Sequence, residues 1–312
     1  MSGHEHGHAG HGHAAAARGN RRRLAIAFWL TATVLIVELV GAVTTRSLVL
    51  AVDAMHMLTD VLGLGLALTA GHLATRPATP TYTWGFERAE IISALAQSAI
   101  LLGVGVFAIV EGIQRLFTPA EVPAAGLLVF GAVGLVANLL SLWVLAGGTG
   151  SNLSIRAAVL EVANDAAGSL AVLVSGILLA TLGWDRVDTV AALLVAALIL
   201  PRAVAVLSRA IRVLMEAAPE GIEAEALRAH LERVPGILAV HDLHVSRLSS
   251  STTVLTAHVV VHERAFIDGT APELLARLQT CAAEHFEVPL GHATFQLEPP
   301  HGRDAEGPLH SS

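Results

Sequence analysis

Residues 53–60 have the sequence Asp-Ala-Met-His-Met-Leu-Thr-Asp and lie inside an apolar stretch that covers residues 48–74. A stretch of this length is long enough to cross a bilayer, which needs about 20 predominantly apolar residues in a helix. His56 and Asp60 are four residues apart, so a helix places both side chains on one face, one turn apart. Ionisable side chains inside a membrane cost about 2.5 kcal/mol or more and are functional candidates. The stretch therefore predicts a membrane helix with a functional polar face.

The composition of the whole chain is also that of a membrane protein. Of the 312 residues, 54% are hydrophobic and 14% are charged, whereas a typical soluble domain has about 25% charged residues. Six apolar stretches have the length of a span, at residues 24–43, 48–74, 91–117, 124–146, 153–182 and 187–207. Because turn residues separate these stretches, we predict a transmembrane domain of six helices at residues 21–212.

The arginines predict the orientation of the spans. Most of them precede span one, lie in the second-to-third loop or the first turn of span five, or lie in the last turns of span six and beyond it: Arg18, Arg21, Arg22, Arg23, Arg76, Arg88, Arg156, Arg202, Arg209 and Arg212. The other side has only Arg46, Arg115 and Arg186. Because basic loops stay in the cytoplasm, we expect both termini there.

The composition changes to that of a soluble domain after Met215. Residues 222–234 and a segment from Pro272 to Phe286 have helical spacing, and residues 240–248, 254–262 and 293–297 have the pattern of strands. The order αββαβ predicts a small two-layer α/β domain at residues 213–299. The composition of residues 300–312 indicates a disordered tail.

A second polar pair lies in span five. Glu161 and Asp165 are also four residues apart, so two facing helices offer His56, Asp60, Glu161 and Asp165 around one point. Four imidazole and carboxylate ligands suit tetrahedral Zn²⁺, and imidazole also suits cobalt and related divalent ions. The alternative is that these groups only pair helices, but no base inside the spans is expected to neutralise three carboxylates.

Two acids in the spans and the histidines before the first span each have two alternative roles. Glu38 and Asp53 also lie in predicted spans, where either acid could admit ions or pair helices. The low-complexity arm at residues 1–20 is expected to be disordered and is rich in histidine. Its histidines form either a metal-collecting arm or a solvated tail: His4, His6, His8, His11 and His13.

The composition excludes several other functions. The chain has no lysine, which excludes P-loop nucleotide binding and Schiff-base catalysis. Sparse aromatic residues and a net charge of −7 argue against nucleic acid as a partner, and an organic-cation antiporter would need more aromatic residues. No predicted span contains an HExxH motif, and four protein ligands leave zinc no open position for water, which argues against an intramembrane metalloprotease. We therefore expect a protein that is not an enzyme and has no prosthetic group.

Several motifs of the chain resemble those of one known family, the cation diffusion facilitators. The resemblance covers about residues 20–298 and is closest to the bacterial zinc, cobalt and cadmium exporters. Its most specific motif is the segment at residues 53–60. The other matching segments are residues 38–41, 47–48 and 84–90, Asn138, and residues 165–169, 240–245 and 292–298.

The resemblance implies a homodimer of six-span subunits, each with a cytoplasmic ferredoxin-like domain. Such a protein exchanges divalent metal for protons across the inner or plasma membrane of a bacterium. The family's transport site falls on His56, Asp60, Glu161 and Asp165. Zinc exporters usually have histidine at the position of Glu161, so a preference for Mn²⁺, Fe²⁺ or Co²⁺ is an alternative.

The resemblance also implies a regulatory metal site in the cytoplasmic domain. The positions that hold regulatory metal in related exporters correspond to His241 and His258, on predicted strands, and to His292, directly before the last predicted strand. The alternative is that these are ordinary surface histidines. A membrane sensor that binds metal without moving it has the same ligands, so the sequence leaves that function open as well.

Overall fold

Six long helices form the first part of the chain. The computed structural model describes residues 9–146, 153–284, 286 and 290–301. The helices are α1 (Ala9–Thr45), α2 (Leu48–Ala74), α3 (Ala89–Phe117), α4 (Ala124–Ala146), α5 (Leu153–Leu182) and α6 (Val187–Leu214). Each contains a segment long and apolar enough to cross a membrane, and the prediction of six membrane helices is therefore confirmed.

Two of these helices extend further than the apolar pattern indicates. Helix α1 begins at Ala9, so residues 9–20 are helical rather than part of a disordered arm. Four alanines at residues 14–17, the best helix formers, precede the apolar run. Helix α6 continues seven residues beyond the predicted end at residue 207, to Leu214. Helical hydrogen bonding does not stop where hydrocarbon stops, so hydropathy alone does not mark a helix end.

The described chain forms two compact units. The first combines the residues up to Gly65 with Gln97–Ala205, and the second combines Leu66–Ala96 with the chain from Val206 onward. The ends of α2 and α6 and the first turns of α3 therefore belong to the same unit as the small α/β domain.

Close packing of α4 against α5 holds part of the first unit together. Gly131 of α4 lies against the backbone of Leu173 in α5, so that an added Cβ atom would lie 2.8 Å from the Leu173 amide nitrogen. Small residues let membrane helices approach at this distance and pack through van der Waals contact. The neighbouring atom is backbone, which cannot rotate away as a side chain can.

A buried acid connects the beginnings of α2 and α6. Asp188 accepts hydrogen bonds from the Ser47 hydroxyl and, at 2.7 Å, from the Leu48 amide. These donors include one of the N–H groups that the first turn of α2 leaves without an intrahelical partner. The carboxylate also lies at the positive end of the α2 dipole, which fixes the start of the helix that carries residues 53–60.

The α/β domain begins with α7 (Ala224–Leu231) and the antiparallel strands β1 (Ile237–Arg247) and β2 (Thr253–Val261). A short helix α8 (Arg264–Ile267) and helix α9 (Ala271–Glu284) follow, and β3 (His292–Glu298) pairs with β2 in parallel. The sheet has the order β1-β2-β3, and its core includes Leu227, Leu255 and Leu278. Apart from the single-turn helix α8, the predicted order αββαβ is confirmed.

The contact between α4 and α5 yields a stability prediction. In Gly131→Ala, the new methyl group overlaps the α5 backbone, and overpacking of this kind costs about 1–3 kcal/mol. We expect a lower midpoint of thermal unfolding for the detergent-solubilised protein. The control is Gly103→Ala in α3, where an added Cβ atom meets nothing within 4 Å. Equal unfolding midpoints for the two variants would contradict the close approach of α4 and α5.

Candidate metal centre

Helices α2 and α5 bring three of the four predicted ligands together. One ligand atom each of His56, Asp60 and Asp165 lies within 4.8 Å of the other two. Within α2, the His56 Nε2 atom is 3.4 Å from the Asp60 Oδ2 atom, as the spacing of one helical turn requires. The third group comes from a different helix, about 100 residues further along the chain.

The burial of these groups favours a cation as their partner. Asp165 and His56 are buried, with exposed fractions of 1% and 7%. Neither the Nδ1 atom of His56 nor the Oδ1 atom of Asp165 has a hydrogen-bond partner in the described structure. Buried polar atoms are normally satisfied, and a divalent cation supplies charge that these donor atoms can coordinate. The set of one imidazole and two carboxylates fits such an ion.

Glu161 lies beside this group but is not part of it. Its residue is exposed at the surface of the first unit, and its carboxylate is outside the cluster of ligand atoms. Its charge nevertheless interacts with those of Asp60 and Asp165. The structure therefore places Glu161 near the site, one turn of α5 before Asp165.

A second buried network extends from the candidate ligands toward α1 and α4. The Asn138 amide donates to the Ser169 hydroxyl at 3.2 Å, and Ser169 donates to Glu38 at 3.3 Å. The carboxyl group of Asp53 interacts directly with that of Glu38. Asp53 also packs against Gly168, where an added Cβ atom would lie 2.1 Å from its Oδ1 atom. Glu38 and Asp53 thus connect helices next to the cluster without joining it.

Sequence reasoning missed Arg202 as a member of this environment. Arg202 of α6 lines the same cavity of about 600 Å³ as Asp53, His56 and Asn164. Its charge interacts with His56 and with all three acids of the predicted site. The expectation that no base lies near the carboxylates is therefore wrong. The signal was available, because Arg202 falls inside the sixth predicted span.

The cytoplasmic domain has a second group of possible ligands. His241 and His258 face each other across β1 and β2, and each approaches the carboxylate of Glu298 at the end of β3. One ligand atom from each of the three lies within 4.8 Å of the others. Two imidazoles and one carboxylate form a donor set that suits Zn²⁺.

His292, the third predicted member, lies elsewhere, and Glu298 takes its place. In the parallel register, His292 pairs with Val254, whereas His258 pairs with Gln296. Four residues of strand separate the two positions, which is about 13 Å. His292 instead makes an edge-to-face contact with the ring of Trp84. Glu298 is two residues beyond Gln296, so it shares a face of the sheet with His258.

A β-bulge adds a further acid to this group. The pairing of β1 with β2 shifts between His241 and His244, and Asp242 has a positive φ of 47°. Such a bulge redirects side chains locally. Here the Oδ1 atom of Asp242 lies 3.0 Å from the Nε2 atom of His244, and its Oδ2 atom lies 3.8 Å from the Nε2 atom of His258.

The histidine-rich arm contributes no described side-chain geometry. His4, His6 and His8 lie outside the described residues, and His11 and His13 lie on α1. Their proposed part in collecting metal stays a prediction.

Two family models match the chain. Residues 24–215 match the model described as the cation efflux transmembrane domain, and residues 219–300 match the model of the cytoplasmic domain of cation efflux proteins. The two matches cover both candidate metal groups.

Relatives whose names describe metal efflux or transport match along almost the whole chain. The metal cation efflux system protein CzcD of Cupriavidus metallidurans is 37% identical over 297 residues, which cover 95% of this chain and 90% of that protein. The cadmium, cobalt and zinc/H(+)-K(+) antiporter of Bacillus subtilis is 35% identical over 89% of each chain. The zinc transporter ZitB of Escherichia coli is 33% identical over 96% of this chain and 95% of its own length.

The presence of Glu298, rather than His292, beside His241 and His258 yields a binding prediction. In the full-length protein carrying Asp60→Ala, which removes a candidate ligand from the membrane group, Glu298→Ala removes a buried candidate ligand from the cytoplasmic group. We expect Zn²⁺ affinity to fall by at least about tenfold, as measured by equilibrium dialysis in detergent. His292→Ala in the same background is the control and should leave the affinity unchanged. The assignment would be overturned if His292→Ala weakened binding and Glu298→Ala did not.

Proposed function

This chain belongs to the cation diffusion facilitator family of cation efflux proteins, and we propose that it exports divalent metal from the cytoplasm in exchange for protons. Zn²⁺ is the first candidate substrate, with Co²⁺ and Cd²⁺ as further ones. The observation that carries this proposal is the convergence of His56, Asp60 and Asp165 on two membrane helices. Three buried ionisable groups at one point have a large cost in a bilayer unless they bind something charged.

The same atoms can couple metal movement to protons. Imidazole and carboxylate groups bind metal only when they are deprotonated, so metal and protons compete for them. Metal that enters from the cytoplasm displaces protons, and protons that enter from a more acidic exterior displace metal. Each crossing by the cation in one direction is then tied to a return of protons in the other.

A cavity in the first unit supplies a route to one side of the membrane. It begins at His56 and follows α5 and α6 to Trp184, in the turn between these two helices. With the termini in the cytoplasm, that turn faces the exterior. In this proposal, the cavity is the path by which protons reach the ligands and metal leaves them.

Glu161 is the proposed fourth ligand and the residue that sets metal preference. A carboxylate at this position makes the site harder than the histidine of typical zinc exporters. Harder oxygen ligands favour Mn²⁺ and similar ions more than imidazole does. Preference for Mn²⁺, Fe²⁺ or Co²⁺ is therefore the alternative to zinc. The effect of residue 161 on the relative transport rates of these metals decides between the two.

The remaining proposals concern regulation and assembly. His241, His258 and Glu298 would hold a regulatory ion in the cytoplasmic domain, and no prosthetic group is required. We also propose a homodimer in the inner or plasma membrane of a bacterium, with both termini in the cytoplasm as the distribution of arginines predicts. The residues before the first span would collect metal in this arrangement.

Metal-driven proton flux in proteoliposomes tests the proposed exchange. We expect Zn²⁺, Co²⁺ or Cd²⁺ to drive proton movement in the wild type, and Asp60→Ala to reduce the rate at least about tenfold because it removes a ligand. The matched control is Asp185→Ala, an exposed acid in the turn between α5 and α6, which should retain the wild-type rate. Metal binding without any proton movement would contradict antiport and favour a membrane sensor.

Glu161→His in the same assay tests metal preference. Imidazole in place of the carboxylate should shift the ratio of rates toward Zn²⁺ and away from Mn²⁺. An unchanged ratio would remove Glu161 from the ligand set while leaving antiport intact.

Arg202→Gln tests the effect of a fixed positive charge beside the site. Removal of that charge makes the site more anionic, so the KM for metal should fall by about tenfold. Slower release should lower the maximal rate at the same time. Arg202→Lys keeps the charge and is the control, and an unchanged KM in Arg202→Gln would show that Arg202 does not act on the ligands.

A further inference from the structure

Three arginines surround a cavity in the second unit that the transport proposal does not use. Arg209 and Arg212 lie in the last turns of α6, and Arg247 ends β1. Together with Glu220 and the turn after α6, they line a cavity of about 260 Å³. That space is several times the volume of one water molecule, about 30 Å³ in the liquid.

The positive charge of this cavity is only partly neutralised. The Arg209 Nε atom is 4.0 Å from the carboxylate of Glu220, and both side chains are mostly exposed, so the pair contributes little. Within the described ranges, no carboxylate oxygen lies within 4.0 Å of Arg212 or Arg247. Glu216, next to the cavity lining, accepts a hydrogen bond from Arg88 at 2.6 Å.

Arg247 also has an unsatisfied donor. Its Nε atom is buried and has no hydrogen-bond partner in the described part of the chain. A buried donor without an acceptor has lost its hydrogen bonds to water without replacing them, which destabilises the fold. An anion in the cavity would supply both the acceptor and the missing negative charge, and the planar guanidinium fork matches phosphate oxygens in particular.

The position of the cavity in α6 indicates where that anion comes from. Helix α6 has 28 residues, about eight more than the hydrocarbon core requires, so its last turns reach the headgroup region. Apolar side chains remain exposed up to this level, at Val206, Ile211 and Met215. Val206 is three residues before Arg209 and shares a face of the helix with it. An exposed apolar side chain therefore lies on the membrane side of Arg209.

We propose that this cavity binds the phosphate group of an anionic phospholipid. Arg209, Arg212 and Arg247 contact the phosphate, while an acyl chain lies along Val206. Basic pockets at the ends of membrane helices bind acidic headgroups by this chemistry. Free phosphate has the same charged group but no acyl chain to use the apolar surface. The inference requires that α6 spans the membrane and is independent of the metal that the protein transports.

Lipid titration of the full-length protein tests this site. The probes are phosphatidylglycerol, phosphatidylcholine and inorganic phosphate, and native mass spectrometry of the detergent-solubilised protein measures stoichiometry and affinity. We expect one phosphatidylglycerol per chain, bound more tightly than phosphatidylcholine. Removal of each arginine should weaken binding by about fivefold, so that the double variant Arg212→Gln, Arg247→Gln loses about twentyfold or more.

Two matched variants separate a built site from general surface charge. Arg233→Gln removes an arginine that is exposed in the same domain but outside the cavity, and it should bind lipid like the wild type. Arg212→Lys with Arg247→Lys keeps the charge but loses the planar fork, and it should bind more weakly. If the Arg247 variants do not fold, Arg212→Gln alone carries the test, because Arg212 is exposed.

The outcomes distinguish the sources of phosphate. Equal loss in Arg233→Gln, or full affinity in the double glutamine variant, would overturn the site. Binding of inorganic phosphate with no preference for phosphatidylglycerol would overturn the lipid assignment. Because binding is measured without metal or flux, a failure here leaves the transport proposal standing, and a failure of metal-driven proton movement leaves this one standing.

Discussion

The cost of placing charge inside a bilayer is the constraint on which the rest of this structure depends. A membrane protein can hold Asp60, Asp165 and His56 because their side chains face one another rather than lipid. A rotation of α2 or α5 that separated these side chains would expose a charge to lipid. The relative orientation of the two helices is therefore restricted. The same constraint makes protons and divalent metal the natural partners of the group, because either one neutralises it.

A polar framework around the group keeps the two helices in place. Asp53 packs against Gly168 on α5, and Ser169 joins Glu38 of α1 to Asn138 of α4. These contacts place α1 and α4 around the pair formed by α2 and α5. Arg202 then adds a fixed positive charge from α6. In the proposed exchange, a metal ion would compete with that charge as well as with protons, which offers a physical means of keeping affinity low enough for release.

The cytoplasmic candidate site follows from strand register instead of helical spacing. Its members come from three neighbouring strands, and the bulge at Asp242 brings an additional carboxylate close to His258. Register also separates His292 from this group and places it against Trp84, which precedes α3. A shift of one residue along β3 would turn Glu298 to the other face of the sheet, so the ligand set depends on the pairing of β2 with β3.

The sequence by itself determined the six spans and the pairs within α2 and α5, because hydrophobic length and helical spacing are local properties. It also indicated the order of helices and strands in the second domain for the same reason. Only the tertiary structure decided that Asp165 meets His56 and Asp60 while Glu161 stays beside them, and that Arg202 lines the same cavity as His56. The tertiary structure also shows that Glu298, and not His292, lies beside His241 and His258. It likewise brings Arg209, Arg212 and Arg247 to one cavity. These groups come from segments far apart in the chain, and their meeting depends on helix packing and strand register, which no local pattern encodes.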